Sequence, residues 1–294
     1  MERLAAFPVE IVPLLPKFLT GRRLPADWIP RIAQELGIDR PAVLIAMLVE
    51  RAGEAGLAER SVYSVYTTKL DASAPALAAA QGAGLIGKRG DRWIATDAGR
   101  DLAMRLRRAS DEHLGGIAPP SADTWRRLGE LLERAFQAST KATEPAVKDR
   151  LPLGLGFRRG FRPSNPLAAI DQAVYGLWMF RDDCHIAAWR GAGFDGPTLD
   201  VVTRLWRDQP ATVEELVPML MQQRPEDVHA TIDRLRRDGR LETGSLRLTE
   251  RGRSEREAVE AETDRLFFTP WPDDVRAEST WIRARLEEAV AAIA

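Results

Sequence analysis

The chain has 294 residues, 45% of them hydrophobic and 29% charged, a net charge of −1 and one cysteine, Cys184. This length suits a soluble protein of two or three domains, and a lone cysteine excludes an intramolecular disulfide framework and a zinc ribbon. No apolar run approaches the roughly 18 residues of a membrane span, and Met1-Glu2-Arg3-Leu4 lacks the pattern of a secretory signal, so the expected location is the cytoplasm.

Prolines at 8, 13, 16, 25 and 30 keep long helices out of the start, so residues 1–27 are predicted to be an arm docked by short apolar turns. From Trp28 a 3.6-residue period appears in Ile29, Ile32, Ala33 and Leu36, with Gly37 as its stop. Asp39 is placed to cap a second, buried helix running from Pro41 to about Gly53. Ser61 to Lys69 reads as helix, and Asp71 to Gln81 as the third helix of a small unit ending at Gly82 and Gly84. The polar turn Gly87-Lys88-Arg89-Gly90-Asp91 separates two short strand candidates, and Thr96 caps a helix through Leu114.

Gly115 to Ser121 breaks the chain at a candidate domain boundary, and an amphipathic helix follows from Ala122 to about Ala138. Ser139 to Pro166, rich in glycine, proline and basic residues, reads as an ordered linker, and Pro166 to Trp189 as a long helix. A second unit starts near Gly196-Pro197. Leu199, Val202 and Leu205 mark its first helix, the capping box Thr212-Val213-Glu214-Glu215 opens its second, and Pro225 opens its third. Val228, Ile232 and Leu235 turn that third helix to the core. Leu241 and Leu246 to Leu248 are short strands, followed by an acidic helix to about Phe267 and a last one from Ala277 to Ile293.

The two units share a sequence. Thr96-Asp97-Ala98-Gly99-Arg100 and Thr249-Glu250-Arg251-Gly252-Arg253 lie 153 residues apart, each preceded by a glycine turn, Gly84-Leu85-Ile86 and Gly239-Arg240-Leu241. A repeated helix, turn, β-ribbon and returning helix is the signature of a winged helix-turn-helix, which makes duplex DNA the first candidate partner. The shared motif is explained by helix capping, so it argues for a shared fold more than for a shared function.

On these residues the units resemble winged helices of the MarR type, weakly over residues 40–110 and better over 197–268. Leu177 to Trp189, Gly193-Phe194-Asp195-Gly196, Glu262 to Leu266 and Pro270-Trp271 also resemble an actinobacterial group of helix-turn-helix-like proteins. Both resemblances imply a winged-helix fold. The MarR likeness implies transcriptional control by a dimer whose DNA affinity responds to a small ligand, and two units in one chain would mimic that dimer internally.

The expected fold is therefore mainly α with small β-wings, as two winged-helix units joined by a helical middle segment: 28–115, 116–195 and 196–294 after the arm. Net charge gives no global attraction to a polyanion, but basic residues gather locally, with eight arginines against five acids over 229–256 and seven basic groups against three acids over 84–108. The third helix of unit two is a poor reader, since Glu226, Ala230, Asp233 and Arg237 oppose its apolar stripe. That of unit one offers only Gln81. The DNA-contact candidates are therefore Lys88, Arg89 and Arg92 in one wing, Arg234 and Arg237 on the helix, and Arg247, Arg251 and Arg253 around the other wing.

Arg181-Asp182-Asp183-Cys184-His185 gives no catalytic set. Asp182 and His185 share a helix face, but adjacent Cys184 and His185 point about 100° apart. No phosphate-cradling loop or nucleophile elbow occurs. A candidate ligand pocket is drawn from the aromatic middle of the chain: Trp125, Tyr175, Trp178, Asp182, His185 and Trp189, with Phe157, Phe161 and Trp206 nearby in sequence. The sequence thus reads as a non-enzymatic, cofactor-free DNA-binding regulator, with a small-molecule effector as a further candidate partner. The alternatives are a winged-helix scaffold that binds a protein partner and a small-molecule-binding protein.

Overall fold

A computed structural model describes residues 7–118 and 121–294. A 3-10 turn at Val9–Ile11 and α1 (Leu14–Thr20) occupy the proline-rich start. α2 (Trp28–Leu36) ends on left-handed Gly37, and α3 (Arg40–Ala52) begins where the Asp39 carboxylate accepts the Ala42 N–H at 2.8 Å. Then come β1 (Leu57–Ala58), α4 (Glu59–Val62), α5 (Ala74–Gly82), the hairpin of β2 (Ile86–Arg89) and β3 (Arg92–Ala95), and α6 (Asp97–Gly115). α7 (Ala122–Lys141), α8 (Leu151–Arg158) and α9 (Pro166–Gly191) make the middle of the chain. α10 (Gly196–Arg207), α11 (Val213–Met219), α12 (Pro225–Arg237), α13 (Glu250–Phe268), α14 (Asp273–Ala277) and α15 (Ser279–Ala292) complete it. The fold is mainly α with small β-wings.

Three expected elements differ, one of them the short strands at Leu241 and Leu246 to Leu248, which form only a single isolated bridge, Leu241 to Leu248. Ser61 to Lys69 is not a helix beyond Val62. Its hydroxyls bond the local backbone instead, Ser64 accepting the Tyr66 N–H and Thr67 the Lys69 N–H, which favours turns over helix. The expected linker at 139–166 contains α8, whose Leu-Pro-Leu-Gly-Leu-Gly-Phe sequence has poor helix propensity. The compensation is remote in sequence: both Asp183 oxygens, from α9, accept N–H groups at the start of α8, Arg150 at 2.8 Å and Leu151 at 2.7 Å.

The described residues pack as two compact units that are discontinuous in sequence: 7–59, 74–118, 121–183 and 264–294 form one, and 60–73 with 184–263 form the other. In the first, α3 packs on α5, α6 and α8, and the antiparallel sheet has the order β1-β3-β2 with Leu57 opposite Trp93 and Ile86 opposite Ala95. A second apolar centre of this unit gathers Phe180, Phe267, Phe268 and Trp271, all essentially fully buried. The core of the other unit is Leu199, Val202 and Leu205 of α10, Leu216 of α11, Val228, Ile232 and Leu235 of α12, and Leu241, Leu246, Leu248 and Val259 beyond them. Val65 and Tyr66 pack on that core, and Gly196 is needed there because a Cβ would fall 2.0 Å from the Val65 carbonyl oxygen.

Asp183 is 2% exposed, and burial raises its carboxyl to about 6 against the backbone donors that favour the carboxylate. The folded chain then holds this proton more tightly than the unfolded chain. Its stabilising contribution is complete below the ordinary value of 3.8 and is lost as pH rises through about 6. Asp183→Asn should accordingly remove a loss of about 3 kcal/mol from the wild-type profile over that window. Urea midpoints measured against pH check this, and parallel wild-type and variant profiles would contradict it.

Candidate nucleic-acid interface

The Thr-acid-x-Gly-Arg motif builds the same junction twice. Gly84 and Gly239 end α5 and α12 with φ of 71° and 69°, and the next N–H groups, Leu85 and Arg240, close back onto Ala80 and Leu235 carbonyls at 3.0 and 2.9 Å. Thr96 and Thr249 then return to these turns. Their N–H groups donate to the Leu85 and Arg240 carbonyls at 3.1 and 3.0 Å, and their hydroxyls donate to Gly84 and Gly239 at 2.6 and 2.8 Å. Each hydroxyl also accepts the N–H three residues on, Gly99 or Gly252, at 3.1 Å, capping α6 or α13. One threonine thereby locks the end of the hairpin to the end of the preceding helix.

The hairpins themselves differ. From Gly84 to Thr96 there is room for a four-residue pairing of β2 with β3, whereas the shorter stretch from Gly239 to Thr249 closes with one bridge, Leu241 to Leu248, and the Glu242 N–H to Arg247 carbonyl bond at 3.0 Å. β1 adds a third strand to the first sheet. The corresponding loop after α10 contains Pro210, which has no N–H to give to a strand ladder, and follows Gln209, the one non-glycine residue with positive φ among those described, at 46°. A cleft of about 540 Å³ lies there, between that loop and the hairpin, lined by Trp206, Gln209, Glu242, Leu246, Arg247 and Arg253 among others.

The basic candidates of the first hairpin are engaged within their own unit. Lys88 pairs with Glu59 at 3.0 Å and lies over the Trp93 ring. Arg89 donates to the Glu54 carbonyl, and Arg92 to the Gly56 carbonyl at 3.1 Å. On α12, Glu226, His229, Ala230, Asp233 and Arg237 are exposed, while Arg234 reaches Asp195 at 3.2 Å and the Thr198 hydroxyl. Arg251 pairs with Glu255 at 2.8 Å and donates to the Asp238 carbonyl at 3.0 Å. Arg247 and Arg253 are different: both are exposed, and among the described residues neither guanidinium meets a carboxylate or a carbonyl.

The turn before α12 is also occupied. Thr67 and Thr68 donate to the Gln222 carbonyl at 2.6 and 3.1 Å, Lys69 donates to the Met221 carbonyl at 2.7 Å, and Thr68 accepts the Arg224 N–H at 2.9 Å while its own carbonyl accepts from the Arg224 guanidinium at 3.1 Å. Thr68 caps a helix that has no capping side chain at its own N-cap.

A helix-turn-helix family matches this chain over residues 92–294, a range that contains all of α10, α11 and α12. The chain belongs to that helix-turn-helix family. No curated protein and no solved structure matches it. None of its described helices is long and apolar enough to cross a membrane, and no group of three or more metal-ligating side chains occurs among the described residues.

In this helix-turn-helix protein the aromatic and acid residues of the candidate ligand pocket are accounted for separately. In the first unit Trp125 is 1% exposed in the core, Tyr175 holds Arg51, Trp178 lies beneath Arg181, and Asp182 pairs with Arg150 at 3.4 Å. Burial, more than Arg150 and Arg181 can offset, pushes the Asp182 carboxyl up. In the second unit His185 Nδ1 meets the Thr263 hydroxyl at 3.1 Å and Glu260 at 4.0 Å, and Trp189 is core. None of the six lines the cleft beside Trp206. Sequence reading missed that cleft, although Pro210 placed where a strand residue was needed is a legible signal of it.

Proposed function

We propose that the protein is a DNA-binding transcriptional regulator carrying the winged helix twice, in residues 28–115 and 196–294, with a helical middle segment over 116–195. The duplicated threonine junction supports the internal repeat, since the same donors, acceptors and left-handed glycine recur at matching positions. The observation that carries DNA contact is the pair Arg247 and Arg253, two exposed guanidinium groups facing one cleft without internal partners. Guanidinium groups so placed suit phosphate, and phosphate contact supplies affinity before sequence preference. Arg237 adds a third cation at the end of α12. Fluorescence anisotropy with a random-sequence duplex tests this. Binding should weaken with salt along a log–log slope of about −2 to −3, as expected for two or three phosphate contacts. Absence of binding at low salt would overturn it.

The second reading, a scaffold for a protein partner, is favoured by the exposed acids Glu226 and Asp233 on α12 and by the internal engagement of the first hairpin's cations. It predicts a copurifying partner and indifference to duplex.

Thr68 engages Arg224, which also pairs with Asp227 at 3.3 Å, so replacing Thr67 and Thr68 with alanine should free Arg224 from one partner and tighten random-duplex binding roughly threefold at low salt. The same anisotropy titration measures it, and unchanged or weaker binding would count against a restraining role for this segment.

A further inference from the structure

The first unit contains a cleft of about 200 Å³ lined mainly by apolar side chains, among them Leu24, Met47, Leu106 and Phe161, with exposed Leu44 at its edge. Its charged groups are Arg23, Arg51, Arg107, Asp111 and Asp171, with Glu50 behind them. Most are matched. Arg107, 5% exposed, pairs with Glu50, and Arg23 donates to Asp171 at 3.0 Å. Asp111 directs its oxygens to Ser164 and Asn165.

Arg51 is the one cation of the lining that meets no carboxylate among the described residues. Its guanidinium donates to the Tyr175 hydroxyl at 2.6 Å and lies over the Phe157 and Tyr175 rings, 4.9 and 4.6 Å from their centroids. Its Nε is buried without an acceptor. Cations crowd here: burial lowers the Arg107 pKa, and the charges of Arg51 and Arg159 lower it further, against the raising effect of Glu50. A half-buried cation with aromatic walls and no counter-ion favours an anion far more strongly than it would in water.

We propose that this cleft binds a small organic monocarboxylate, its carboxylate on Arg51 and its apolar body against Leu24, Met47, Leu106 and Phe161. The volume admits a body no larger than one ring or a short alkyl chain and excludes a nucleotide, and one unmatched guanidinium matches a single negative charge. The site lies wholly within the first unit, so its test is independent of duplex binding.

Isothermal titration calorimetry of the full chain with benzoate, hexanoate and the corresponding amides decides the matter. At least one acid should bind, its amide at least about tenfold more weakly, and Arg51→Met should reduce acid binding by about tenfold or more with an unchanged far-UV spectrum. Should Arg51→Met fail to fold, Met47→Trp, which fills the cleft and leaves the cation, should abolish binding. No heat with either acid at millimolar concentration, equal binding of acid and amide, or undiminished binding by the folded variants would overturn the proposal.

Discussion

Alanine at Gly252 should lower the unfolding free energy by about 3 kcal/mol, although exchanging a helical glycine for alanine ordinarily stabilises by about 1 kcal/mol. The added Cβ would fall 2.2 Å from the Arg240 carbonyl oxygen, and that oxygen is fixed as the acceptor of the Thr249 N–H. Neither side can yield without breaking the junction. Gly99 faces the same obstacle in the first unit, 2.1 Å from the Leu85 carbonyl oxygen, and Gly99→Ala should have a similar cost. Gly191, at the end of α9, has nothing within 4 Å of an added Cβ, so Gly191→Ala is the control and should be neutral or slightly stabilising. Chemical denaturation of the three variants measures the differences, and equal midpoints would show that the junction relaxes freely.

Reversing the cleft cations with Arg247→Glu and Arg253→Glu together should weaken random-duplex binding about 100-fold at low salt, through loss of two phosphate contacts and the repulsion that replaces them. Both side chains are exposed and without internal partners, so the fold should survive. The paired control is Lys88→Glu with Arg89→Glu, whose wild-type side chains are held by Glu59 and the Glu54 carbonyl. That change should cost less than about threefold. Anisotropy at one low salt concentration compares the three proteins, and an equal loss in both double variants would mean that the field of the whole surface, and not this cleft, attracts the duplex.

The sequence carried the helices whose signals are local. Asp39, Thr96, Asp195, Thr212 and Thr249 each accept an N–H three residues on, as their positions before apolar-periodic runs require. The apolar stripe of α12 likewise faces the core. Features that depend on distant partners were not legible. α8 rests on a carboxylate 32 residues away, and the turn before α12 is tied to residues about 155 positions earlier. The site was half legible for the same reason. Counting arginines marks residues 229–256 as basic, but only the fold shows that Arg234 and Arg251 are paired and that Arg247 and Arg253 are not. Arg51 reads in sequence as an ordinary basic residue in the last turn of α3, a place it would hold for the helix dipole alone.

Hydrogen–deuterium exchange of the full chain, with and without a random-sequence duplex at low salt, locates the contact directly. Slower exchange confined to α12, the hairpin at 241–248 and the first turns of α13 is the predicted result, with residues 86–95 unchanged. Protection at 86–95 in place of 241–253, or no protection anywhere with duplex in excess, would contradict the proposed DNA contact at α12 and the hairpin that follows it.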